Sequence, residues 1–110
     1  MLNAVFGDIH GNLDALETCV AHMKEIGVEY YVCLGDVVGY GAQPSECLSM
    51  VRELTDHIIA GNHEYAVCGK MGLEFFNAYA KEAIEWTQDQ LSEEDLEFIR
   101  RMPLVEQVNG

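Results

Sequence analysis

Apolar positions follow two rhythms along this chain. Leu2-Asn3-Ala4-Val5-Phe6, Tyr30-Tyr31-Val32-Cys33-Leu34 and His57-Ile58-Ile59-Ala60 are short apolar runs, each followed at once by a glycine. Runs of that length and make-up predict strands. Between the first two, Leu13, Leu16, Val20, Met23 and Gly27 recur at helical spacing, with Cys19 and Ile26 beside them. Asn12 is placed to cap that helix, Asp14 and Glu17 favour its start, and Gly27 suits its end. A second helix is predicted from Pro44, a good first-turn residue, with Leu48, Val51 and Leu54 as its buried stripe. The order is that of consecutive βαβ units, an α/β chain.

The second half is more helical. Gly69 and Gly72 mark a loop in the ambiguous stretch 66–74, placed to lie over the strand ends. Phe76, Ala80, Ala83, Ile84 and Thr87 keep a helical period, with Trp86 at its margin. Ser92-Glu93-Glu94-Asp95 resembles a capping box with Asp in place of the longer Glu, and Arg100-Arg101 complements the same helix's C-terminus. Pro103 ends it. Leu104 to Val108 then reads as a strand and Asn109-Gly110 as a two-residue hairpin turn whose partner strand does not follow. The expectation is a chain that continues further, or one that self-associates through this strand edge.

Composition narrows the classes. A chain of 110 residues with 49% hydrophobic content makes one domain, without repeats, linker or low-complexity tract. A formal net charge of −13 argues against binding duplex nucleic acid through its phosphates. A phosphorylated substrate stays compatible, because a bound divalent metal reverses the local field. Cys19, Cys33, Cys47 and Cys68 show no C-x-x-C spacing and read as reduced packing residues. No basic leader and no apolar run of membrane length is present, so the expected location is the cytoplasm, without membrane partners.

Three stretches carry candidate chemistry: Gly7-Asp8-Ile9-His10-Gly11-Asn12, Gly35-Asp36-Val37-Val38-Gly39-Tyr40-Gly41 and Gly61-Asn62-His63-Glu64. Each follows a predicted strand, so each delivers Asp, Asn or His at a strand's carboxyl end, where open α/β sheets bind ligands. Asp8 and Asp36 are 28 residues apart and Asp36 and Asn62 are 26 apart, close to one βαβ unit of roughly 30 residues. The three should converge. A purely structural account makes Asp8 and Asp36 turn residues, His10 a surface histidine and Asn62 a loop former. It explains the glycines, which tight turns need, but not the ligand-type residues among them. His22 reads as solvated, His57 as structural and the acidic residues of 82–97 as a solvated face. Tyr40 either lines a pocket or packs against its loop.

In this order and spacing, D-x-H, G-D-x-x-G and G-N-H-[DE] resemble the calcineurin-like metallophosphoesterases. Gly39-Tyr40-Gly41 is similar to the small prokaryotic phosphodiesterase branch; the Ser/Thr protein-phosphatase branch usually has Asp-Arg-Gly there. The likeness is close over residues 1–66 and loose beyond. It implies the N-terminal half of a four-layer αββα sandwich and a phosphodiesterase or phosphatase acting on a phosphorylated small molecule. Two divalent cations, Mn, Fe, Ni or Zn, would serve it, lying about 3.5–4 Å apart. Asp36 would bridge them, Asp8 and His10 would bind the first, and Asn62 would give a neutral oxygen to the second. Metal-bound hydroxide would attack phosphorus in line with no covalent intermediate, His63 would face the leaving group, and Glu64 would orient the His63 imidazole. Many relatives have Asp at the Glu64 position. The family's further histidines, in G-H and G-H-x-H, are not found here. The resemblance therefore implies one tightly held cation at most and little activity for this chain alone. The alternative is an inactive scaffold or protein-binding module of the same fold. A nucleotide-binding regulatory domain lacks its G-x-G-x-x-G or Walker sequence and ranks last.

Overall fold

A computed structural model describes residues 2–105 and Gln107. In chain order it has β1 (Asn3–Phe6), α1 (Leu13–Glu25), β2 (Tyr30–Cys33), α2 (Pro44–Leu54), α3 (Asn62–Val67), a 3-10 turn (Leu73–Phe75), α4 (Ala78–Gln90) and α5 (Glu93–Arg100). α1 starts where its cap predicts: Asn12 Oδ1 accepts the Ala15 amide at 3.1 Å, and Gly27 follows the last turn with φ 86°. β1 and β2 pair in parallel, from Asn3 opposite Tyr30 to Phe6 opposite Cys33, with α1 as the crossover. The fold is mixed α/β.

Two expectations change. The third strand shrinks to one parallel bridge between Cys33 and Ile58, with the Cys33 amide bonded to the His57 carbonyl and the Ile59 amide to the Cys33 carbonyl. The ladder stops because the next amide facing β2, that of Gly61, donates instead to Glu64 Oε1 at 2.8 Å, while the Ala60 amide, on the opposite edge, donates to the Pro103 carbonyl at 2.8 Å. The third motif, read as a loop, opens a short helix, α3. Glu64 stands at its third position and accepts the Gly61 amide at 2.8 Å, one half of a capping box; Gly61 has no side chain to return the bond. Six residues are too few to show a helical period.

The later helices follow their signals. Asn77 caps α4 through the Ala80 amide, and Ala80, Ile84 and Thr87 are its buried positions. The Ser92–Asp95 box closes in both directions even with the shorter acid. Asp95 also accepts the Ser45 hydroxyl at 2.8 Å, tying α5 to the start of α2. α2 packs on α1 and α4, and α3 on α4 and α5. Their shared core includes Cys33, Val37, Leu48, Val51, Ile84 and Ile99, all fully buried, each large aliphatic among them contributing about 1.5–3 kcal/mol.

All four cysteines are free. Burial pushes the Cys33 and Cys47 thiols up to about 11, so both are neutral packing groups. Cys19, read as a packing residue, is exposed on α1 instead. One sheet face stays open: Val5 is 64% and Leu34 50% exposed, and register places Val32 between them. A groove of about 620 Å³ runs between β1 and α1, from Phe6 and Asp8 to Met23. The strand expected from Leu104 onward is not formed at Leu104, Val105 or Gln107. Glu106 and Val108–Gly110, with the hairpin signal, lie outside the described residues. Among the described residues no helix is long and apolar enough to cross a membrane.

Candidate metal centre

The first two motif loops continue the pairing of β1 and β2 beyond the strands. The Asp8 amide donates to the Gly35 carbonyl at 3.2 Å, His10 to Asp36 at 2.8 Å and Gly11 to Val37 at 2.8 Å. In return the Gly41 amide reaches the His10 carbonyl at 2.6 Å and Gln43 the Gly11 carbonyl at 3.1 Å. The loops approach so closely at Gly41 that a Cβ there would strike the backbone of His10 and Gly11.

Four non-glycine residues in these loops are left-handed: Asp8 (φ 56°), His10 (50°), Asp36 (52°) and Tyr40 (63°). Sparsely populated backbone of this kind costs on the order of 1–3 kcal/mol per residue and persists only where surrounding bonds impose it. The sequence showed which residues stand here. That they are left-handed was not readable from it, because φ is set by the other loop.

The backbone delivers Asp8, His10 and Asp36 to one place, with one ligand atom from each lying within 4.8 Å of the others. His10 Nδ1 sits 3.2 Å from the Val38 carbonyl. A carbonyl only accepts, which assigns the proton to Nδ1 and leaves the Nε2 lone pair aimed at Asp8 Oδ1, 3.8 Å away. An imidazole nitrogen beside two carboxylates is a donor set suited to a divalent transition metal, and these three residues could hold one. Asp36 also caps α3, its Oδ1 accepting the His63 amide at 3.1 Å. A carboxylate at a helix N-terminus is favoured by the exposed amides there. Asn62 opens α3 between Gly61 and His63, both of which touch Asp36.

Glu64 does something other than expected. Its carboxylate is fully buried and accepts three main-chain amides: Asp36 at 2.5 Å and Gly61 at 2.8 Å on Oε1, and Val38 at 3.1 Å on Oε2. Among the described residues it makes no bond to the His63 ring. Neighbouring residues on a helix do not face each other, so the two side chains diverge. Burial pushes the Glu64 carboxyl above the usual carboxylate range, while its amide bonds pull it back. Glu64 is thus a clamp on the backbone of the second loop.

His63 is buried among rings. It lies 4.7 Å from the His10 ring, 4.9 Å from Tyr40 and 5.7 Å from Phe76. Burial, then the neighbouring His10, lowers its pKa below the ordinary histidine value, so the ring is neutral at neutral pH. Its Nδ1 is buried without a hydrogen-bond partner. Gly39 (φ 99°) presses on this ring so closely that a Cβ there would overlap it. Tyr40 follows its packing reading: it lies edge-on against His10 at 5.3 Å and, 47% exposed, stacks on Tyr79. Tyr79 lines up with Ala83 and Trp86 at the margin of its helix's buried stripe, and nothing in the sequence pairs it with Tyr40.

The remaining candidates are structural. His22 is exposed on α1, and His57 Nε2 meets the Tyr30 hydroxyl at 2.7 Å. The acidic stretch is largely exposed, with Asp95 the buried exception.

The chain is similar to known proteins. Over 106 residues the chain is 43% identical to an uncharacterized protein of Methanocaldococcus jannaschii, covering 96% of this chain and 44% of that protein. It superposes on the crystal structure of a metallophosphoesterase from Sphaerobacter thermophilus with a TM-score of 0.74 and 38% identity, over 92% of this chain and 41% of that one. The chain therefore spans less than half the length of both. The profile of the calcineurin-like phosphoesterases matches residues 1–110, and with the first two motifs meeting at Asp8, His10 and Asp36, the chain belongs to that family.

Proposed function

We propose that this chain carries the first half of a metal-dependent phosphoester hydrolase centre acting on a phosphorylated small molecule, as a phosphodiesterase or phosphatase. The observation that carries the reading is the meeting of Asp8, His10 and Asp36 within 4.8 Å, with the His63 ring 4.7 Å from His10. Asp8, His10 and Asp36 hold one divalent cation (Mn, Fe, Ni or Zn) tightly. Asp36 and Asn62 contribute to a second site that these residues alone leave weak. A bound metal supplies positive charge that polarises phosphoryl oxygens and acidifies water.

This chain's residues do the rest. His10 keeps its proton on Nδ1 through Val38, so its other nitrogen is a fixed donor. Glu64 and the left-handed backbone hold Asp36 in place before substrate arrives. Water adds to phosphorus as the ester P–O bond opposite breaks; the departing oxygen takes a hydrogen bond from the neutral His63 ring, and the proton shed by the water ends on that oxygen or in solvent. The expected location is the cytoplasm.

Purified chain, titrated with Mn or Zn and assayed on an aryl phosphodiester and an aryl phosphomonoester, tests the reading. Metal-dependent turnover or binding that disappears in Asp36→Asn supports it. Absence of both metal binding and turnover sinks it. A second reading rests on the open sheet face at Val5 and Leu34 and the groove beside it: a scaffold that docks a partner or a second copy. Light scattering separates the two, since a scaffold of this kind associates whether or not metal is present.

A further inference from the structure

Tyr40 and Tyr79 lie outside the cluster that holds the chemistry, yet the fold brings them together at its edge. Tyr40 comes from the second motif loop and Tyr79 from the first turn of α4. Their rings are nearly parallel, at 22°, with centroids 6.0 Å apart. Stacking at this separation holds the Tyr79 ring nearly parallel to Tyr40 and leaves it open to a further planar group. Both rings are open to solvent, Tyr79 at 74% and Tyr40 at 47%. Burial does not explain such a pair. Tyr79 buries little by standing there, and Tyr40 holds a left-handed backbone (φ 63°) to present its ring.

Position gives the pair a meaning. Tyr40 also touches the His63 ring at 4.9 Å and the His10 ring at 5.3 Å. A run of rings therefore leads from the residue that faces the leaving group, through Tyr40, to an exposed aromatic plane. A substituent on a phosphoester bound at the cluster would leave along that run. Aliphatic groups gain no specific geometry from such a plane; a flat π-system does.

We propose that Tyr40 and Tyr79 form a stacking platform that selects phosphoesters carrying a planar aromatic group, a nucleobase or an aryl ring, on the leaving-group side. This inference rests on the phosphoesterase reading above. Tyr79 is then a specificity-determining residue and Tyr40 links the platform to His63. A platform open at its edge reads ring planarity more than ring identity, because every flat base or aryl group offers a π-face.

Binding and turnover are measured together on the full chain with Mn. Calorimetry compares phenylphosphonate, adenosine 5′-monophosphate and methylphosphonate; kinetics compare aryl and alkyl phosphodiesters. The platform predicts tighter binding of the phenyl and adenosine ligands than of methylphosphonate. Tyr79→Ala should weaken those two about 5- to 50-fold, within the range of aromatic stacking losses, and Tyr79→Phe should restore them. In turnover the same loss falls on KM more than kcat and lowers the aryl-to-alkyl preference. Restoration of adenosine binding alone would assign the platform to nucleobases, and of both ligands to planar groups in general. Equal binding of all three ligands, or equal weakening of all three by Tyr79→Ala, overturns the proposal. Selective, Tyr79-dependent binding with neither Mn bound nor any hydrolysis would uphold the platform and overturn the phosphoesterase reading instead.

Discussion

The Glu64 carboxylate lies 2.5 Å from the amide of Asp36, so the last acid of the third motif grips the main chain that carries the central acid of the second. The same carboxylate holds Val38 and Gly61. Replacing it with Ala strands three amides, that of Val38 fully buried and those of Asp36 and Gly61 half-buried; an unpaired buried amide costs about 1–3 kcal/mol, and the buried side-chain volume is lost as well. Glu64→Ala should therefore destabilise by about 3 kcal/mol or more, seen as a lower midpoint in urea unfolding. Glu64→Gln keeps the shape but offers an amide nitrogen where an oxygen accepted. It should fold, and lose metal affinity about 10–100-fold, as outer-shell partners of ligating groups do. Unchanged affinity in Glu64→Gln would refute the clamp.

Metal stoichiometry is the second expectation. Calorimetric titration with Mn or Zn should find one tight site per chain, abolished in Asp36→Ala. Asp8, whose side chain is 81% exposed, should matter less to folding than Asp36, which also caps α3. Two tight sites, or binding indifferent to Asp36, would overturn the assignment.

His63 should act on the leaving group. A positioned acid or hydrogen-bond donor contributes roughly 10²–10⁴-fold. Where this protein turns over, His63→Ala should cost that much for alkyl leaving groups and far less for nitrophenolate, which departs without a proton. Equal losses for both would argue that His63 only shapes the site.

Much of this was readable in advance. Asn12, Pro44, Gly27 and the Ser92–Asp95 box mark helix ends through local bonds, and local bonds survive tertiary context. The spacing of Asp8 and Asp36 reported one βαβ unit, which the parallel β1–β2 pair confirms. What escaped reading depends on distant partners. The Gly61 amide, next in line for β2, turns to the Glu64 carboxylate, and so ends the third strand, while Ala60 on the other edge bonds Pro103, 43 residues on. Glu64 looked like a partner for its neighbour His63, whereas its bonds reach back 28 and 26 residues to Asp36 and Val38. Tyr79 joins Tyr40 only because α4 folds over the loop.

Gly39→Ala tests how tightly that loop is seated. The added methyl would meet the His63 ring and would also need a left-handed backbone at φ 99°. Since no rearrangement relieves both, this variant should lose activity and the Tyr40–His63 contact while α1 and α2 stay folded. Chemical-shift changes confined to residues around 36–41 and 61–65 would bear this out. A silent Gly39→Ala would mean that the second loop is slack.

The left-handed backbone at Asp8, His10 and Asp36 has one more consequence. Asn, Asp and His are the side-chain-bearing residues that enter that region most readily. They are also ordinary metal ligands. Shape and chemistry thus draw on the same short list of amino acids at these positions. A descendant that had abandoned hydrolysis would still be under conformational pressure to retain them. The motifs alone therefore testify to the turn before they testify to the reaction, and His63 and Tyr79, free of that pressure, are the better witnesses to whether a lineage still uses the site.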